Sequence, residues 1–197
     1  MPALLRLAGA MDRVTEAVGR SVIWLILLAI LVSAVNAVVR KAFSISSNAW
    51  LELQWYLFGG AFMGAAAWTL KHNEHIRIDI VYASRTRRAQ HWIDLLGHVL
   101  FLMPFALLMA WMTVPYALGA WRSGQVSTNA GGLAIWPARA ILAAGFILLS
   151  AQGLAEIVKK VAVMRGLIPD PFPPASGEAP VAGAMPPPPD RAGEDRP

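Results

Sequence analysis

Residues 22–39 form a run of 18 with no formal charge, in which only Ser33 and Asn36 are clearly polar. As a helix rising about 1.5 Å per residue, such a run covers roughly 27 Å. A hydrocarbon core is about 30 Å thick, so the run spans it with a few flanking residues. Residues 53–70 repeat the length, with Gln54 and Thr69 inside. Residues 95–121 are interrupted only by His98, Pro104 and Pro115. At roughly 40 Å this run must tilt, kink or protrude, and the two prolines are the places for a kink. Residues 140–155 are bracketed by Arg139 and Glu156. They reach spanning length by borrowing neighbours while Arg139 and Lys159 snorkel. Lipid offers no partner to a backbone N–H or C=O, so runs of this kind are helices. Strands of a membrane barrel alternate over about ten residues, and these runs do not. The sequence thus predicts an all-α membrane protein with four transmembrane helices, at about 22–39, 51–70, 93–121 and 136–158. The first run starts late, lacks a small-residue cleavage site and is read as a retained helix.

The composition agrees. The chain is 56% hydrophobic and only 15% charged, with a mean hydropathy of +0.50, which excludes an ordinary soluble enzyme. The lack of cysteine removes disulfide scaffolds, cysteine-ligated clusters and thiol nucleophiles. A net charge of +5 would suit nucleic acid, but the basic residues flank apolar runs instead of forming one polar face. The bilayer is therefore the expected partner, and nucleic acid is not. Lys and Arg crowd the segment before residue 22, the loop after the second run and the segment after the fourth. The positive-inside rule puts both termini and that loop in the cytoplasm.

Residues 1–21 carry Leu4, Leu7, Met11, Val14 and Val18 at helical spacing among arginines. They read as a cytoplasmic amphipathic segment or as an extension of the first helix. Glu16 and Arg20 are spaced to pair. In the middle loop, Ser84 is the expected N-cap of a long helix with a basic lower end. Residues 123–133, with Gly124, Gly131 and Gly132, read as an irregular outer turn. Residues 167–197 are proline-rich and read as a disordered cytoplasmic tail.

Few residues suggest chemistry, and no catalytic, metal or cofactor site is assigned. His72, His75, His91 and His98 lie toward the inner ends of the second and third runs. Axial imidazoles on facing helices can hold haem, so a haem-binding membrane anchor of a redox complex is the alternative reading. Glu52, near the outer end of the second run, is expected to meet Arg40, Lys41, Arg122 or a partner protein. Asp94 and Glu156 lie near the inner boundary, with Arg20, Arg88, Lys159 and Lys160 available to pair. Gly60 and Gly64 form a GxxxG that favours close helix packing, within the chain or with a partner. Broken helices, repeats and midplane charges, the signs of a transporter core, are not evident. The chain reads as an accessory or scaffold subunit.

Four stretches then carry a resemblance. Asn48-Ala49-Trp50-Leu51-Glu52-Leu53-Gln54-Trp55-Tyr56-Leu57-Phe58 opens the second helix, and Asn73-Glu74-His75-Ile76-Arg77-Ile78-Asp79 follows it. Ser123-Gly124-Gln125-Val126-Ser127 leads to Gly131-Gly132 and Trp136-Pro137, and Gln152-Gly153-Leu154-Ala155-Glu156 closes the fourth. Over roughly residues 22–166 the chain resembles the small, DctQ-type membrane subunit of tripartite ATP-independent periplasmic (TRAP) transporters. The resemblance implies a scaffold in the bacterial inner membrane, beside a large permease subunit that carries substrate and sodium sites. It also implies a periplasmic substrate-binding protein as a further partner, and organic acid uptake by secondary active transport. Stretches 50–58 and 131–137 look like the branch associated with 2-oxoacids, lactate and similar carboxylates. The expected partner interface is Trp50, Glu52, Gln54, Tyr56, Gly60, Gly64, Gln125, Ser127, Gly131 and Gly132. Gln125 stands where many relatives would carry glutamate, which alters the expected docking contact. The expected inner-loop anchor is His75, Arg77, Asp79, Arg85, Arg87 and Arg88.

Overall fold

In the computed structural model, which describes residues 1–44, 47–73, 82 and 85–171, α1 runs Pro2–Phe43 and α2 Asn48–His72. α3 covers Arg87–Gly97, α4 Met103–Arg122 and α5 Trp136–Met164. Residues 1–21 are not a separate element. They continue unbroken into the first apolar run, making α1 a single helix of 42 residues. Pro2 starts it, where a missing N–H costs nothing, and Ser44 ends it in the left-handed region at φ 52°. α2 stops at Asn73, also left-handed at φ 58°, whose N–H caps the Leu70 carbonyl.

The third run forms a rod, Arg87–Arg122, of 36 residues. Its N-cap is Thr86, whose hydroxyl accepts from the Ala89 N–H; the expected cap, Ser84, lies outside the described residues. Between α3 and α4 the residues His98–Leu102 form a π-helical turn. Pro104 explains it. Its ring has no N–H and would crowd the carbonyl four residues back. Widening the turn relieves this, and the Met103 N–H bonds to the His98 carbonyl. The wider turn presses Leu102 and Met103 onto α5, where a Cβ on Gly153 would lie 3.0 Å from the Met103 sulfur.

α1, the Arg87–Arg122 rod and α5 are long and apolar enough to cross a membrane. α2 has 25 residues but is not among these three. Its run is diluted by Gln54, Trp55, Tyr56, Trp68 and three glycines, and its small-residue face is used for packing. α1 lies against both α2 and α5, α2 against α5, and α4 against α5. α5 is thus the central helix: 44% of its most apolar stretch is buried, against 17% for the rod and 6% for α1. Met63 and Leu70 of α2, Ala106 of α4, and Phe146 and Leu149 of α5 form the core. Aliphatic and aromatic side chains also cover the outside, including Trp24, Trp55, Phe62, Phe101 and Trp111. In water such a surface would aggregate; in lipid it is the expected exterior.

The start of α1 and the end of α5 lie at one end of the bundle, the terminal end, where Asp12 of α1 meets Lys159 of α5. The turn between α4 and α5 lies at the far end, over the start of α2. Residues 123–135 fold back there through a single antiparallel bridge, Val126 to Ala134. The described part of the tail includes Asp170, bonded to Arg87; residues 172–197 lie outside the described residues.

Candidate functional site

At the far end, Glu52 sits in the second turn of α2. Its carboxylate accepts from the Ser127 hydroxyl, from Asn129 Nδ2 at 2.8 Å and from the Leu133 N–H at 2.7 Å. These donors are neutral groups of the 123–135 turn, so the basic partners Arg40, Lys41 and Arg122 are not what Glu52 meets. The reason is proximity. The turn folds directly over the start of α2, and its backbone N–H would otherwise lack an acceptor. Asn48 Nδ2 donates to the Ala130 carbonyl at 3.0 Å, and the Tyr56 hydroxyl to the Ala134 carbonyl at 3.0 Å. α2 thus holds the turn at three levels.

Glycine is required at two places in this clasp. Gly131 adopts φ +69°, and a Cβ on Gly132 would lie 2.5 Å from the Ser127 Cβ and 3.0 Å from Glu52 Oε1. Ser127, Gly131, Gly132, Glu52 and Tyr56 therefore come together, as partners of one another. Gln125 and Trp50 are exposed beside them, and Gln54 is half-buried. Only the backbone of Gln125 is engaged, its carbonyl accepting from the Ile135 N–H. Nearby, the Arg139 guanidinium lies 3.7 Å from the centre of the Tyr116 ring.

Gly60 and Gly64 face their own chain. A Cβ on Gly64 would touch Val18 and Val22 of α1 at 3.2 Å, and one on Gly60 would approach Leu25 at 3.4 Å and Ile141 at 3.9 Å. The small residues let α1 and α2 close on each other.

The terminal end carries three polar clusters. In the first, Gln152 of α5 is fully buried. Its Oε1 accepts from the buried Thr15 hydroxyl at 2.7 Å, and its Nε2 donates to Asp12 and Glu156, both at 2.8 Å. Lys159 then bridges Asp12 at 2.9 Å and Glu156 at 2.6 Å. In the second, Glu16 of α1 accepts from Lys71 of α2 at 2.6 Å and from Arg20 at 3.1 Å. The hydrogen bond from Lys71, with that from Arg20 next, holds its carboxyl at about pKa 2, well below the usual range. In the third, Lys160 of α5 bonds Asp94 of α3 at 2.8 Å, and the Tyr82 hydroxyl donates to Asp94 as well.

Beside the third cluster, Arg87 donates to Asp170 and the His91 ring approaches it at 3.4 Å. Burial above all, then Lys160 and Arg87, pushes the His91 pKa down, against the opposing pull of Asp170 and Asp94. Arg85 and Arg88 are exposed; His75, Arg77 and Asp79 lie outside the described residues. His72 is engaged locally, its ring near the Trp68 carbonyl and Glu16.

The expected Glu16–Arg20 pair is present, and of the four cations expected near Glu156 and Asp94, Lys159 pairs with the first and Lys160 with the second. The Asp12–Thr15–Gln152 cluster was missed. Its signal was available: Gln152 interrupts an apolar run, and a polar side chain there needs partners.

Apolar helices with polar clusters at both ends define a helical integral membrane protein. A family model for the DctQ component of tripartite ATP-independent periplasmic transporters matches residues 29–163, well over half of the chain. The chain belongs to that family and is a small membrane subunit of a TRAP transporter. No curated protein and no solved structure matches it.

Proposed function

We propose that this chain is the fixed scaffold of its transporter, a stator against which the large permease subunit moves substrate. In this reading four helices span the bacterial inner membrane at 22–39, 51–70, 93–121 and 136–158, with both termini cytoplasmic. The far end faces the periplasm, and its clasp, with Trp50 and Gln125 exposed, presents a rigid surface to the substrate-binding protein. The carrying observation is that the bundle is tied by polar clusters at both ends while its middle exposes apolar side chains. A moving element needs breakable contacts; these join α1, α2, α3 and α5, mostly through charge-assisted bonds, which suits a part that stays still. α2 counts as a span because it runs the length of the bundle between α1 and α5. The uptake is sodium-coupled, and the substrate is an organic acid, a 2-oxoacid or another carboxylate. Basic residues at the terminal end, Arg85, Arg87 and Arg88 among them, set the depth of the scaffold against anionic lipid.

The test is gentle detergent purification of the tagged chain from its native membranes, followed by reconstitution. A much larger polytopic subunit should co-purify stoichiometrically, and sodium-driven uptake of a labelled carboxylate should need both subunits and the binding protein. Recovery of the chain with a soluble redox enzyme and a haem band, or flux from the chain alone, would overturn the proposal.

A further inference from the structure

A cleft of about 800 Å³ opens between α3 and the last turn of α5, at the terminal end. Its walls include Arg88, His91, Trp92, Leu95, Val161 and Arg165. The distribution of charge is uneven. Arg87 is matched by Asp170 and Lys160 by Asp94. Arg88 and Arg165 are exposed, and neither guanidinium has a carboxylate partner among the described residues. Arg88 of α3 and Arg165, the residue that caps α5, thus share one cleft with no carboxylate among the described residues paired to either. Below them the wall turns apolar, through Trp92, Leu95 and Val161. Trp92 is 49% exposed, its ring at the level where the rod passes from charged to apolar sequence. The His91 ring forms one wall, and its Nδ1 is buried without a hydrogen-bond partner among the described residues.

We infer that this cleft binds one anionic phospholipid, with the headgroup phosphate between Arg88 and Arg165 and an acyl chain along Trp92 and Leu95. The chemistry is that of a phosphodiester oxyanion joined to a hydrocarbon chain. Guanidinium forks match phosphate oxygens, and basic pockets between helices on the cytoplasmic side suit acidic headgroups. A free phosphate would use the arginines and leave the apolar wall unused, so the lipid is the occupant. The inference rests on the terminal end lying at a membrane surface, as proposed above, and not on the stator role.

The experiment is native mass spectrometry of the full chain in detergent, delipidated and titrated with dioleoyl-phosphatidylglycerol or dioleoyl-phosphatidylcholine. One phosphatidylglycerol should be retained per chain, and phosphatidylcholine should dissociate. R88Q/R165Q should bind phosphatidylglycerol roughly twentyfold more weakly, with an unchanged helical circular dichroism spectrum. R40Q/R122Q, altered at the far end, should bind like the parent. Equal retention of the two lipids, equal binding by the two double variants, or displacement by millimolar inorganic phosphate would each overturn the proposal. Failure of the transport test with these results intact would sink the stator alone.

Discussion

Replacing Gln152 by leucine keeps the side-chain volume and removes every polar atom. Gln152 has no exposed surface, so no water can take its place. The hydrogen bond from Thr15, at 2.7 Å, joins neutral groups and is worth about 1 kcal/mol. The two bonds from Nε2, each 2.8 Å long, end on carboxylates and are worth about 1.5–3 kcal/mol each. The gross loss is thus about 4–7 kcal/mol. Lys159 still bridges Asp12 and Glu156, so neither carboxylate is stranded. The new methyl groups also return roughly 1–2 kcal/mol of burial. A net destabilisation of about 4 kcal/mol is expected, read as the shift of an SDS-titrated unfolding curve followed by tryptophan fluorescence. Thr15→Val should cost less alone and should couple to Gln152→Leu by about 1 kcal/mol in a double-mutant cycle. A Gln152→Leu protein within 0.5 kcal/mol of the parent, or a cycle with no coupling, would refute the claim that this cluster holds α1 to α5.

Gly19→Ala should be more damaging than an alanine usually is in a helix, because its Cβ would stand 2.1 Å from Trp68 Cδ1. Overpacking of this kind costs about 1–3 kcal/mol, and an unfolding midpoint equal to that of Gly9→Ala, where a Cβ meets open space, would count against it. Glu52→Ala should release the 123–135 turn, so limited proteolysis should cut near Gly131 in the variant and not in the parent; equal cutting would show that the clasp does not hold the turn. Glu16 should contribute to acid sensitivity. Its folded pKa of about 2 lies below the ordinary 4.5, so its stabilising share is complete above pH 4.5 and lost as pH falls toward 2. Melting temperatures of the parent should therefore fall more steeply over that window than those of Glu16→Gln, and parallel curves would refute this.

The helices were legible because lipid imposes one rule on every backbone group, and charge-free runs reveal where it applies. The rod from α3 into α4 followed from Ser/Thr caps and the missing charges after Asp94, though its cap is Thr86. A kink was expected at Pro104 or Pro115; what stands before Pro104 is a π-helical turn, whose form depends on how the ring meets the preceding carbonyls. Local pairs such as Glu16–Arg20 could be read from spacing. Asp12 with Gln152, and Glu52 with Leu133, could not: they join residues 140 and 81 positions apart, and only the packing order of helices brings them together. For Glu52 the sequence suggested cations because charge is visible in a string of letters, whereas the direction of a backbone N–H is not.

The way α1 meets α2 has a geometric cost. Glu16 stands level with Lys71, Gly19 with Trp68, Val22 with Gly64 and Leu25 with Gly60. The middle of the charge-free run in α1 therefore lies about six residues, roughly 9 Å, farther toward the far end than the middle of the run in α2. The hydrophobic belt around this protein is a slanted ring. A flat bilayer matches both helices only when the bundle leans, and any protein docked along α1 inherits that lean or bends the lipid to remove it.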